Sequence, residues 1–287
     1  MAFPAAMRTM AELVASAEAL AALGARLRAD AEGMTLDPEI EAVLDGVLAE
    51  LGISIASLEP SERATVALFA RAFLHQATHL IDHPEHPPGW AYEDEVVLLS
   101  QGRGSAVVAA AFAETEVLNE ALSRPGAALL DVGAGVGSLS VAFCEHWPGL
   151  RVVGLEPWEF ALAHARGTVA GFEDRIELRE GRVEELDDVE AFDAVWFPTP
   201  FLSPAIVPAA LERVFAALKP GGLVVFALYA APPDALSQQL VGLRTLRSGG
   251  RLWPDPQATV AAAGFTGVRE LERTWAAPIR LVVGTRG

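Results

Sequence analysis

The spacing of apolar and polar positions changes character near residue 125. Before it, alanine and leucine recur at helical intervals among scattered charges, and nothing alternates as a strand does. Residues 5–31 read as one long helix closing near Gly33. Asp37-Pro38-Glu39 reads as a helix start, with Asp as N-cap and proline at the first helical position. Ser61-Glu62-Arg63 opens another helix, which reaches Asp82 and is stopped by Pro84, Pro87 and Pro88. At about 100° per residue, Val66, Phe69, Phe73, Ala77 and Leu80 share its apolar face, and His75 and His79 lie nearly opposite, beside Arg71, Thr78 and Asp82. A proline-rich connector over 83–92 and a short helix over 95–100 follow. Gly102 and Gly104 are expected to break that helix, and Ser105 to cap the next, over 106–122.

After Arg124-Pro125-Gly126 strand-like and helix-like segments alternate, the pattern of a parallel α/β sheet. Strands are expected over 128–132, 151–155, 175–179, 193–197 and 223–228, with helices over 138–146, 158–171 and 204–218. A helix over 256–263 leads through Gly264-Phe265 to two strand runs, 268–273 and 280–283. The few residues around Pro278 cannot form a helical crossover, so these runs pair antiparallel. The expected architecture is α/β: five parallel strands plus a terminal antiparallel hairpin over 125–287, behind an all-helical domain over 1–124.

Composition narrows the function. A net charge of −17 argues against a nucleic-acid substrate, which needs a basic face, and against an anionic membrane surface. No run of about 18 uncharged apolar residues is present. The N-terminal segment carries Glu12 and Glu18 and lacks a leader's basic start, so a soluble cytoplasmic protein is expected. The single cysteine, Cys144, excludes an internal disulfide and a cysteine-based zinc cluster.

Leu129-Leu130-Asp131-Val132-Gly133-Ala134-Gly135-Val136-Gly137 is an apolar strand running into a glycine bend and a helix. Such glycines let backbone approach a ligand closely because no Cβ intervenes. Glu156 ends the second strand nineteen residues after Gly137, where a carboxylate can accept from ribose hydroxyls. The spacing is G-x-G-x-G, not the G-x-G-x-x-G of dinucleotide folds. With Val152-Val153-Gly154-Leu155-Glu156, Phe192-Asp193-Ala194-Val195-Trp196, Leu218-Lys219-Pro220-Gly221-Gly222-Leu223 and Ala263-Gly264-Phe265 in order, residues 127–287 resemble class I S-adenosylmethionine-dependent methyltransferases.

That resemblance implies a Rossmann-like seven-stranded sheet, S-adenosyl-L-methionine as cofactor and S-adenosyl-L-homocysteine as product. It implies that Asp131, Gly133, Ala134, Gly135 and Gly137 form the cofactor bend, with backbone at 133–135 facing the methionine part. Glu156 would hold the ribose beside Pro157 and Trp158, with Trp158 against the adenine. The third strand departs from the family: Arg182 stands where an acid usually reads the adenine amine, and an arginine accepts no hydrogen bond. Glu180, or backbone at Val183, is left to read the ring.

Acceptor-side candidates are Trp196, Phe197 and Phe201 after the fourth strand, Tyr229 after the fifth, and Trp90 and Tyr92 in the connector. Packing at the sheet edge is the competing role for the strand aromatics. By the same resemblance the N-terminal helices would form a lid over the acceptor mouth, and their alanine-rich helical face points to a homodimer through them. His75 and His79 admit three readings: a solvated helix face, a catalytic base, or a metal site with Asp82 or Glu85. Arg103, between two glycines, reads either as a clamp for the cofactor carboxylate or as an exposed arginine at a helix break. The expected activity is methyl transfer to O, N or C of a small, secondary-metabolite acceptor. A non-catalytic binding protein and a nicotinamide-dependent reductase are the alternatives.

Overall fold

The computed structural model describes residues 2–90 and 95–287. The chain forms two compact units, one within 1–86 and 92–104, the other within 87–91 and 105–287.

The first unit is helical: α1 (Ala2–Ala31), α2 (Pro38–Glu50), α3 (Pro60–Asp82) and most of α4 (Glu95–Ser105). Asp37 caps α2 as expected, its carboxylate accepting from the amides of Glu39 and Ile40. The start of α3 differs from expectation. It opens at Pro60, where Glu59 and Glu62 bond each other's backbone reciprocally, and a reciprocal cap outcompetes a lone serine. Its fully buried positions are Ala67, Ala70 and Ala72, while Phe69 and Phe73 are half-buried and Ala77 is exposed. Close approach of α1 explains this, since a Cβ on Gly24 would lie 2.9 Å from that of Ala70. Small residues face each other where the two backbones come nearest. Gly102 and Gly104 do not break α4. A Cβ on Gly104 would lie 2.5 Å from the Phe69 ring, so this glycine makes room for an aromatic and keeps helical geometry. Ser105 is accordingly the last residue of α4, and Ala106 stands at the N-cap position of the next helix.

The second unit adds α5 (Val107–Glu114) and α6 (Glu116–Leu122), where the sequence pattern predicts a single helix and the extended Thr115 breaks it in two. The continuous stretch Glu95–Glu114 is long and apolar enough, by length and composition, to cross a membrane. Within it Val108, Ala109, Ala111 and Phe112 belong to the core beneath the sheet.

The sheet comprises β1 (Ala128–Val132), β2 (Arg151–Glu156), β3 (Ile176–Glu180), β4 (Phe192–Pro198), β5 (Leu218–Tyr229), β6 (Thr266–Glu270) and β7 (Ile279–Thr285). Its order is β3-β2-β1-β4-β5-β7-β6, parallel except for β7, which runs antiparallel to both β5 and β6. The helices between strands are α7 (Ser138–His146), α8 (Glu159–Thr168), α9 (Val207–Ala217), α10 (Ala235–Arg247) and α11 (Pro256–Ala262). Strand alternation divides the core. Leu129, Ala194, Trp196, Val225 and Ala227 point to the side covered by α5, α6 and α7. Leu130, Val195, Phe197, Val224 and Phe226 point to the side covered by α9.

At the amino ends of the strands, Asp193 Oδ2 accepts from the Ala128 amide (2.9 Å) and from Lys219 Nζ (2.6 Å), tying three strands together. The order reverses between β1 and β4. Ligands of open α/β sheets bind outside the carboxyl ends of the strands at such a reversal.

Candidate cofactor and acceptor site

The bend after β1 holds three glycines in the left-handed region, Gly133 (φ 70°), Gly135 (φ 56°) and Gly137 (φ 79°). A Cβ built on Gly133 meets nothing within 4 Å, and one on Gly135 meets only the Gly133 carbonyl, at 3.9 Å. The bend therefore presents bare backbone with room above it. Gly137 serves packing instead. Its Cβ would sit 3.1 Å from Val169 and 3.4 Å from Ala165, so the missing side chain lets α7 lie against α8.

The bend's amides are largely engaged within the protein. Gly133 and Ala134 both donate to the Leu155 carbonyl, at 2.8 and 3.2 Å, and Gly137 donates to the Ala134 carbonyl. Gly135 donates to Glu156 Oε2 at 2.9 Å, and Trp158 donates to Glu156 Oε1 at 3.0 Å. Glu156 thus bridges the bend and the start of α8. An ionised carboxylate has about four acceptor positions, so two remain for a diol after these bonds. The side chain is 8 % exposed. Burial raises its pKa, opposed by the two backbone bonds.

Asp131, on β1, is 1 % exposed. Ser140 Oγ donates to its Oδ2 at 2.6 Å, while its Oδ1 is buried with no hydrogen-bond partner among the described residues. Burial pushes this carboxyl up to about 7, the Ser140 bond lowers it, and the nearby Glu156 charge raises it further. An orphaned buried oxygen, a Cβ-free bend and a carboxylate with spare acceptor positions suit a ligand carrying a cation and a ribose. S-adenosyl-L-methionine has both. Asp131, Gly133, Gly135 and Glu156 would hold it.

Around this centre the predicted residues distribute unevenly. Pro157 is exposed, and the half-buried Trp158 ring lies 5.2 Å from that of Phe160, an aromatic that the motifs do not single out. Arg182 turns to Glu184 at 3.5 Å, and the Val183 side chain is buried in the α9-side core. Trp196 packs on Phe112 in the opposite core, and Phe197 is fully buried and stacked on Phe226. Phe201, Tyr229 and Trp90 come together: Trp90 meets Phe201 edge-on at 5.1 Å and Phe201 meets Tyr229 at 6.0 Å. Tyr92 lies outside the described residues.

In the helical unit, His75 and His79 are half-buried on α3. The His79 ring lies 4.9 Å from that of His83 and 5.1 Å from that of His86. Among the described residues no group of three or more His, Cys, Asp or Glu is arranged to hold a metal ion. Arg103 is exposed on the uninterrupted α4.

Besides Phe160, the sequence pattern misses Ser140 and Arg244. Ser140 sits one turn into α7, where its hydroxyl meets Asp131. Arg244 lies on α10, a helix the sequence pattern does not predict, with its guanidinium 5.7 Å from the centre of the Tyr229 ring.

Comparison with known proteins decides the family. Residues 129–222 match a methyltransferase domain family. Demethylmenaquinone methyltransferase of Thermus thermophilus is 31 % identical over 171 residues, covering 51 % of this chain and 77 % of that protein. The chain belongs to the S-adenosylmethionine-dependent methyltransferases. The nicotinamide reading falls with that membership. The ribosomal RNA small subunit methyltransferase H of a Parafrankia species is 38 % identical over 74 residues, or 26 % of this methyltransferase and 23 % of that protein. The chain spans about a quarter or less of the first curated relatives it matches. In fold, the pyocyanin biosynthetic protein PhzM is similar over 99 % of both chains, with a TM-score of 0.67 and 17 % identity.

Proposed function

We propose that this methyltransferase transfers a methyl group to O, N or C of a small secondary-metabolite acceptor, acting as a soluble cytoplasmic enzyme without nucleic-acid or membrane partners. The observation that carries the reading is the joint geometry of the Cβ-free bend, Glu156 and the half-orphaned Asp131 at the strand-order reversal. The bound cofactor supplies an already activated methyl, so the protein's share is alignment and exclusion of water. Glu156 fixes the ribose end. The Asp131 carboxyl, where Oδ1 lacks a partner, faces the cationic end as a buried acceptor. Trp158 and Phe160 offer ring faces for the adenine. On the acceptor side the rings of Trp90, Phe201 and Tyr229 supply planar surface for an aromatic molecule. PhzM, called a pyocyanin biosynthetic protein, supports an acceptor of secondary-metabolite type through its fold. Should the acceptor need a base, His75 and His79 are the proposed suppliers, with Arg103 proposed as a clamp on the cofactor carboxylate.

The test is calorimetry with S-adenosyl-L-homocysteine, followed by transfer of labelled methyl from S-adenosyl-L-methionine to a panel of aromatic phenols and amines. One cofactor product is expected to bind per chain. Glu156→Gln should weaken that binding roughly tenfold or more, the scale of a lost charge-assisted bond. His75→Ala or His79→Ala should lower turnover at unchanged cofactor affinity if either supplies the base. Wild-type protein that binds no S-adenosyl-L-homocysteine ends the reading, and binding without transfer to any acceptor leaves a non-catalytic binder.

A further inference from the structure

The ring patch has a cationic edge that the methyl-transfer reading does not use. Between Asp234 and Asp255 the chain carries Arg244, Arg247 and Arg251 and not one acidic residue, in a protein of net charge −17. Arg244 projects from the last turn of α10 over the Tyr229 ring, 5.7 Å from its centre. From Tyr229 the rings continue to Phe201 and Trp90, so one guanidinium borders a row of three aromatics. The row is anchored at the carboxyl ends of β4 and β5, beside the strand-order reversal.

The backbone around this row is packed tightly. Gly250 donates to the Pro200 carbonyl at 3.0 Å, and Gly89 donates to the Arg247 carbonyl at 3.2 Å. A Cβ on Gly250 would lie 2.5 Å from the Thr199 carbonyl oxygen, and one on Gly249 would lie 3.2 Å from Gly89 Cα. Three segments, the chain at Gly89, the turn Thr199–Phe201 and the end of α10, are therefore joined backbone to backbone. Tight backbone packing there limits what must be ordered when a ligand binds against the rings and the guanidinium.

We propose that Arg244 determines acceptor specificity: the rings of Trp90, Phe201 and Tyr229 receive a planar aromatic acceptor, and the guanidinium receives an anionic, carboxylate-type substituent on it. The chemistry favours this class. A guanidinium fork matches a carboxylate bidentately and stacks on aromatic faces, which a lysine does not do as well. The three arginines of this segment also favour an anionic over a cationic acceptor at this edge. The competing role for Arg244 is structural, as a cation near the negative end of α10. That role would leave acceptor preference untouched.

This inference rests on the small-molecule methyltransferase reading, and the experiment separates the two. Affinities of 3,4-dihydroxybenzoate and of its neutral isostere 3,4-dihydroxybenzamide are measured by tryptophan fluorescence, with S-adenosyl-L-homocysteine saturating. The wild type is expected to prefer the acid roughly tenfold or more. Arg244→Gln should bring the two probes within about twofold of each other, and Arg244→Lys should keep part of the preference. Equal affinities in the wild type, no binding of the acid, or a preference that survives in Arg244→Gln each overturn the proposal. Should Arg244→Gln not fold, the wild-type ratio and its loss at high salt carry the test. Failure of S-adenosyl-L-homocysteine to bind is a separate result and sinks the cofactor reading instead.

Discussion

Asp131 shows how one buried carboxyl couples stability to pH. Its carboxyl is buried, bonded on one side by Ser140 and unbonded on the other, and its pKa lies at about 7 in the folded protein against 3.8 ordinarily. A raised acid holds its proton when folded and loses it on unfolding. Its contribution is therefore complete below pH 3.8 and is lost as pH rises through about 7. Asp131→Asn removes the titration while keeping the shape. Its stability relative to wild type should rise between pH 5 and pH 8, by on the order of 1–3 kcal/mol. Urea unfolding at the two pH values measures this, and an unchanged difference would show that the carboxyl is not held protonated. The same substitution is expected to weaken S-adenosyl-L-homocysteine above pH 7, where the wild-type carboxyl is ionised and can pair with the ligand's ammonium whereas an amide cannot.

Elements were legible where local chemistry and burial agreed. The stretch Ser138–His146 is a helix over the expected residues because a glycine bend and an amphipathic run coincide. The strands β1 to β5 stand where the short apolar runs between helices put them, although β5 starts at Leu218, earlier than the expected 223. Left-handed Gly221 bends that strand, and its pairing with β4 shifts register between Phe192 and Ala194. The helix α10 escapes sequence reading for a physical reason. It shows solvent Leu236, Leu240, Leu243 and Leu246 and buries Val241, Gly242 and Thr245, the reverse of a usual surface helix. Its termini are nevertheless readable, since Asp234 caps the start and left-handed Gly249 follows the end. The clamp after α10 yields a prediction. Gly250→Ala should destabilise the protein by roughly 1–3 kcal/mol, through overlap with the Thr199 and Pro200 carbonyls. A melting temperature equal to wild type would mean that the turn Thr199–Phe201 yields easily.

For the whole molecule, the exposed face of α1 bears on association. Phe3, Met7, Met10 and Val14 recur at helical spacing along α1 and are all exposed, Phe3 by 75 %. We propose that this stripe pairs two copies of the chain, since a row of large apolar side chains exposed on one helix face is a surface that a second copy can cover. Light scattering after size exclusion should give twice the 30.3 kDa chain mass. Met10→Glu combined with Val14→Glu should return the protein to that single mass. A monomeric wild type would refute the pairing.

What the sequence alone determined was the parallel sheet, its terminal hairpin and the glycine bend after β1. Each is written in neighbouring residues: short apolar runs set the strands, glycines set the left-handed turn, and Glu156 ends the next strand. The tertiary structure decided what distant residues do together. Ser140 meeting Asp131, the clustering of Trp90 with Phe201 and Tyr229, and Arg244 over that row depend on packing between segments far apart in the chain. Burial decided the rest, turning Phe197 into a core residue, because periodicity identifies a face but not what covers it.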